Sequence, residues 1–146
     1  MSEPSLADLM RRAFELWNER RFDDMLEYFH EDVVWEVGPF GGPDLDVIEG
    51  HDGVRRFNAQ WLDVFPDSKL EVEQVEERGD WTLALILHAG SGGTSGSPVP
   101  FRYAEIEHWR DSRIDFIEND PDLGRARAKF ERYVSGEDRA PFTNQG

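Results

Sequence analysis

The sequence predicts a single α+β domain in which a curved antiparallel sheet wraps around an aromatic-lined pocket. Three observations carry that prediction. Helical periodicity falls in the first half of the chain and in one segment near its end, with four strand-like segments in succession between them. The turns joining those strands are short, which makes neighbours antiparallel. Trp17, Trp35, Trp61, Trp81 and Trp109 are spread along a chain that is 12% aromatic, enough to fill one core and still face a cavity. A chain of 146 residues has the length of one domain, placed at 1–134, and the polar, aperiodic stretch 135–146 reads as a disordered tail.

The elements follow in order. Ser5 opens a helix, with Asp8 three residues on as a capping-box partner, and Leu6, Leu9, Met10, Ala13 and Trp17 recur at helical spacing. Asn18 to Arg21 ends it. Phe22, Met25, Leu26 and Phe29 mark a shorter second helix that makes an αα-hairpin with the first. His30-Glu31-Asp32 reads as a turn and Val33 to Val37 as a β-branched strand, broken by Gly38 to Pro43. A third helix opens near His51-Asp52-Gly53, carries Val54, Phe57, Trp61 and Phe65 on one face, and stops at Pro66.

The pattern then turns to strands. Leu70 and Val72 alternate with charges. Trp81 to His88 is apolar on both faces and reads as a central strand, and Gly90 to Pro98 is a Gly/Ser-rich hairpin loop or pocket lid. Phe101 to Trp109 is a long strand, Asp111-Ser112 a tight turn, and Ile114 to Asn119 the last strand. Asp122 caps a final helix carrying Leu123, Ala126, Phe130 and Tyr133. The three N-terminal helices are placed over the concave side of the sheet, enclosing the pocket.

Composition excludes several classes. With 31 acidic and 16 basic residues the net charge is −15, a field that repels phosphate backbones and anionic membrane surfaces, so neither nucleic acid nor membrane is an expected partner. Cysteine is absent, which removes disulfides, thiol nucleophiles and Cys-ligated metals. The four histidines have no paired spacing, and no metal site is predicted. The N-terminus lacks the basic and apolar regions of a signal peptide, so a cytoplasmic location is expected. The loop Gly90 to Gly96 lacks the spacing and following helix of a nucleotide-binding turn.

Within Phe101 to Trp109 the period-2 set is Phe101, Tyr103, Glu105, Glu107 and Trp109. If the aromatics face the cavity, Glu105 faces it too. A carboxyl in apolar surroundings resists ionisation, so its pKa rises and it can shuttle protons near neutrality. His88, ending the neighbouring strand, is a candidate partner, since imidazole titrates near neutrality; the alternative is a rim histidine bonded to a loop. His51 reads as structural at a helix N-terminus.

Several segments together resemble a known family. Phe14 to Asp23, His30 to Trp35, Gly50-His51-Asp52-Gly53-Val54-Arg55-Arg56-Phe57 and Trp109-Arg110-Asp111-Ser112-Arg113-Ile114 are similar, in order and spacing, to the motifs of SnoaL-like domains, with Ser112 where the family usually has Gly. The resemblance spans roughly residues 6 to 130 and implies the cone-shaped fold of nuclear transport factor 2. That superfamily includes ketosteroid isomerases, polyketide cyclases and epoxide hydrolases, so fold alone does not fix function.

The resemblance places Glu105 where the cyclases and isomerases carry a functional Asp. It places Ala13 at the isomerases' helix-1 Tyr and Val37 at their base. The adjacent Glu36 points to the opposite face, so an isomerase mechanism is not implied. The implied pocket walls are Trp17, Phe29, Trp35, Val37, Trp61, Tyr103, Trp109 and Ile117, with Asn119 offering an internal hydrogen bond. Family members commonly dimerise through the convex sheet face, where Ala104, Ile106 and His108 would lie. The leading expectation is an enzyme using Glu105, with His88, for cofactor-free acid/base chemistry on an apolar, polycyclic or terpenoid molecule. The alternatives are a non-catalytic binding protein with the same pocket and a dimerisation module.

Overall fold

The computed structural model describes residues 4–41, 47–90 and 100–137. It begins with helix α1, Leu6–Asn18, entered as the sequence predicts: Ser5 Oγ accepts the Asp8 N–H and the Asp8 carboxylate accepts the Ser5 N–H. Its buried face is Met10, Ala13, Phe14, Leu16 and Trp17. Helix α2, Phe22–Leu26, is shorter than its apolar spacing suggests. Phe29 does not extend it but opens strand β1, Phe29–Glu36, and His30 to Asp32 lie in that strand rather than in a turn. The Tyr28 carbonyl accepts the Ile114 N–H at 2.7 Å, so pairing with a distant strand overrides the local helical pattern.

A 3₁₀ turn, Gly38–Gly41, follows. Strand β2, Val47–Glu49, which was not anticipated, leads into helix α3, Gly50–Val64. His51 Nε2 bonds the Phe29 carbonyl at 3.0 Å and ties the start of α3 to β1, so its role is structural as predicted, through a strand rather than the helix amides. Strands β3, Lys69–Arg78, β4, Trp81–Ala89, β5, Phe101–Arg110, and β6, Arg113–Asp120, form an antiparallel meander. Asp111 and Ser112 both take positive φ in the β5–β6 turn, matching the tight hairpin expected there.

Among the described residues the strands form one sheet in the order β2-β1-β6-β5-β4-β3. One expectation is corrected: the sheet is mixed, because β1 runs parallel to β6. The reason is topological. The last strand of the meander returns beside the first strand of the chain, running in the same direction. The predicted lid falls on residues 91–99 and the predicted tail mostly on 138–146, outside the described residues.

The helices α1 and α3 pack on the concave face. Helix α4, Leu123–Ser135, crosses the convex face, capped by Asp122, whose side chain accepts the Arg125 N–H. Ala126 and Phe130 are fully buried there, as are Ile106 and Phe116 of the sheet. Helix α4 thus covers part of the face expected to serve a dimer. Ile106 is 0% and Ala104 4% exposed, and His108 is half-buried, its Nδ1 bonded to Asp115, while Leu83 and Leu85 beside them stay half-exposed.

Asp120 fastens α4. Its carboxylate takes two hydrogen bonds from Arg125, at 2.6 and 2.7 Å, and one from Lys129 at 3.1 Å. Burial alone would raise its pKa, but Arg125, the Asp122 N–H and Lys129 outweigh it and hold the group at about 2. A depressed folded pKa adds stability above the unfolded value, lost as pH falls towards 2. Asp120→Asn is therefore expected to cost about 1–2 kcal/mol at pH 7, discounted because Arg125 is half exposed, with the difference from wild type vanishing towards pH 2. Denaturant unfolding across that range checks it.

Candidate active site

Register on the concave face sets the site. Thr82, Ala84 and Ile86 of β4 lie opposite Glu107, Glu105 and Tyr103 of β5, and Glu105 and Glu107 lie opposite Asn119 and Ile117 of β6. Alternation along β5 therefore aims Tyr103, Glu105 and Glu107 inward in one row, about 7 Å apart per pair of residues. Helices α1 and α3 close over this row.

Two adjoining lobes remain inside, of about 50 and 40 Å³. Trp17, Trp35, Tyr103, Asn58 and Leu70 border both. Phe29, Ile117, Glu105 and Glu107 line the larger, and Trp61, Phe40 and Asn119 the smaller. Asn119 Oδ1 accepts the Trp35 indole N–H at 3.0 Å, a bond within the wall itself. Ligand pockets for drug-sized molecules occupy about 300–1,000 Å³. A polycyclic guest thus requires the walls to part.

Val37 and Trp109, expected in the walls, line neither lobe. Val37 is fully buried in the core. Trp109 turns its indole N–H to Thr82 Oγ1 at 2.9 Å. Thr82 in turn donates to Glu107 Oε1 at 2.6 Å. Indole nitrogen only donates, so the single Thr82 hydrogen is committed to the carboxyl.

His88 is likewise not Glu105's partner. It pairs across the sheet with Phe101, while Glu105 pairs with Ala84. Four residues of strand, about 13 Å, separate the two. Nor is His88 at a rim: it is 0% exposed, its Nε2 lies 2.7 Å from Ser68 Oγ, and its ring meets Trp61, Phe65 and Phe101.

The partner of Glu105 is Glu107, its neighbour two residues along the same face. The pair is 6% and 0% exposed. Burial raises the pKa of Glu107 well above the usual carboxylate range, and the Glu105 charge and shared proton raise it further, against a smaller opposing pull from Thr82. Burial also raises Glu105, while its contact with Glu107 pulls it back. The two carboxyls influence one another's ionisation, and Glu107 Oε2 is buried without a hydrogen-bond partner. The pair as a unit thus holds a proton above the pH at which exposed carboxylates lose theirs. Tyr103, driven up by burial and by both glutamates, stays a neutral phenol.

Two contributors were missed in the sequence though their signals were present. Glu107 belongs to the same period-2 set as Glu105. Asn58 lies four residues after Val54 and three before Trp61, hence on the buried face of α3. It is 3% exposed, and its Oδ1 accepts the Trp17 indole N–H at 3.1 Å. Among the described residues no group of His, Cys, Asp or Glu is arranged to hold a metal ion, and no helix is long and apolar enough to cross a membrane.

A search of curated protein sequences gave no match. Solved structures do match in fold. TerC co-crystallised with polyporic acid superposes with a TM-score of 0.72 at 19% identity, covering 86% of this chain and 98% of that one. A protein of the nuclear transport factor 2 type and unknown function from Burkholderia pseudomallei gives 0.74 at 18% identity, covering 84% and 95%. A protein described as a SnoaL-like polyketide cyclase from Jannaschia sp. CCS1 gives 0.69 at 17% identity, covering 88% and 96%. At these identities the likeness speaks for the cone-shaped fold alone. The sequence profile of the SnoaL-like domain matches residues 10–117, most of the chain. This protein therefore belongs to the SnoaL-like domain family.

Proposed function

We propose that this protein catalyses proton transfer on a small, largely apolar molecule, with Glu105 as the proton acceptor and Glu107 as its neutral, proton-bearing neighbour. The observation that carries the reading is the pair itself: two carboxyl groups side by side in the larger lobe, otherwise lined mainly by Met10, Phe14, Trp17, Met25, Phe29 and Ile117. Such surroundings keep a proton on the pair above the pH at which exposed carboxylates ionise. That is the condition for a carboxylate to take a proton from a weak acid and for its neighbour to steady the product charge. The apolar lining favours an apolar guest. TerC, of the same fold, was co-crystallised with a small organic molecule, which supports a guest of that general kind.

The test has two parts. Native mass spectrometry on protein purified from its source identifies the compound that stays bound. Deuterium exchange from solvent into that compound is then followed against pH. The rate is expected to rise with pH through the raised Glu105 titration, which carboxyl-carbon NMR locates independently. A Glu105 that titrates like an exposed glutamate, near 4.3, removes the physical basis of the reading.

A further inference from the structure

We propose that Asn58 selects the guest of this cavity: its side-chain amide donates to an acceptor oxygen on an uncharged molecule, of the ketone, ester or ether class. The inference rests on the same cavity as the functional reading, and adds a recognition group and a chemical class to it.

The orientation of Asn58 follows from its neighbour. Trp17 Nε1 can only donate, so the atom 3.1 Å from it is the amide oxygen Oδ1. That leaves Nδ2, with two N–H donors, turned the other way. Nδ2 is buried and has no hydrogen-bond partner. Buried amide groups without partners are rare in folded proteins because the lost hydration is not returned. The other side-chain atom so left among the described residues is Glu107 Oε2, which lines the same lobe. One donor and one carboxyl oxygen thus stay unsatisfied around a single space, the arrangement expected of a site completed by a guest.

The location of Asn58 fits the role. It borders both lobes and also a hollow on the outer surface lined by Arg20, Phe22, Asp23, Arg55 and Ala59. It therefore stands in the wall between solvent and cavity, where a guest arriving through the gap between α1–α2 and α3 meets it first. Charge sets the remaining constraint. No Lys or Arg lines either lobe, and Glu105 and Glu107 supply only negative charge. An anionic guest would be repelled and left unpaired, a cost that an uncharged one avoids. An acceptor oxygen within reach of Nδ2 satisfies the amide, whereas a hydrocarbon of the same shape leaves it bare.

Cyclopentanone and methylenecyclopentane differ by one atom, oxygen against CH₂, and serve as the probes. Titrated into ¹⁵N-labelled full-length protein, cyclopentanone is expected to shift the Asn58 side-chain NH₂ signals and to bind about five- to tenfold tighter than methylenecyclopentane, the gain of one hydrogen bond. Asn58→Leu should bring the two affinities together. Arg125→Ala, on the helix that covers the other face of the sheet, should keep them apart. The NH₂ shifts in unaltered protein keep the test decisive if Asn58→Leu fails to fold. Equal binding of both probes by the wild type, or a ketone preference that survives Asn58→Leu, overturns the inference and leaves the glutamate reading standing. If neither probe enters the cavity at millimolar concentration, both fall together.

Discussion

Glu105→Gln is expected to slow proton transfer into the bound compound by about 10²–10⁴-fold, the usual contribution of a positioned acid or base. The amide keeps the shape of the carboxyl but cannot accept a proton, so occupancy in native mass spectrometry should stay the same while exchange collapses. Glu107→Gln should behave differently. A glutamine there imitates the protonated carboxyl: its oxygen can still accept from Thr82 and its NH₂ can donate towards Glu105. Exchange should fall by less than in Glu105→Gln, and the protein should gain stability. The sign of that gain follows from linkage. A raised folded pKa means that the native state keeps a proton that the unfolded chain gives up, so stability declines as pH rises from about 4.3 through the folded value. Removing the Glu107 titration removes its part of that decline. The expected gain at pH 8 is on the order of 1–3 kcal/mol, shrinking to nothing near pH 4. Chemical denaturation at several pH values measures it. An unchanged pH slope in Glu107→Gln would show that the proton resides elsewhere.

Phe130→Ala is expected to cost about 3–5 kcal/mol, the range for removing a fully buried aromatic ring. Phe130 has no exposed surface, and beneath its helix lie Ile106 and Phe116, equally buried. Without the ring α4 loses its main apolar anchor. The ion pairs of Arg125 and Lys129 with Asp120 and Glu118, and the Tyr133 bond to Glu118, remain as partly solvated ties of smaller worth. Amide hydrogen exchange should increase first in α4 and in the strand faces it covers. The lobes lie on the other side of the sheet. Probe binding, measured below the lowered unfolding midpoint, should change little. A loss of probe binding equal to the loss of stability would mean that the two faces of the sheet are energetically one unit.

Much of this architecture is legible in the sequence because it is encoded locally. The Ser5–Asp8 cap, the Asp122 cap and the Asp111-Ser112 turn depend on residues within a few positions of one another, and all appear where the residue types place them. The inward row of β5 is legible for the same reason: strand alternation has period two, so Phe101 and Tyr103 on one face fix where Glu105 must point. The motifs that resemble SnoaL-like domains fix the family.

Other features arise only from contacts between distant segments. Phe29 has helical spacing from Leu26 and Met25, yet backbone pairing with Ile114, far along the chain, draws it into β1. The parallel β1–β6 pair follows from that meeting and from nothing within either strand. His88 and Glu105 are separated by register, which a sequence reading does not supply; the β4–β5 pairing sets Ala84, not His88, opposite Glu105. That Ile106 and Phe116 lie under α4 likewise depends on where the last helix folds back.

The sequence by itself determined the fold family, the curved sheet with its helical cover, and one inward-facing acid, because hydrophobic period, caps and turn chemistry are local properties. The tertiary structure alone decided that this acid is buried beside Glu107, that Asn58 holds an unpaired donor at the same cavity, and that the lobes are small. Each of these depends on burial and on which groups meet after folding. Desolvation raises a carboxyl pKa, or leaves an amide unsatisfied, only once the surrounding chain has removed the water.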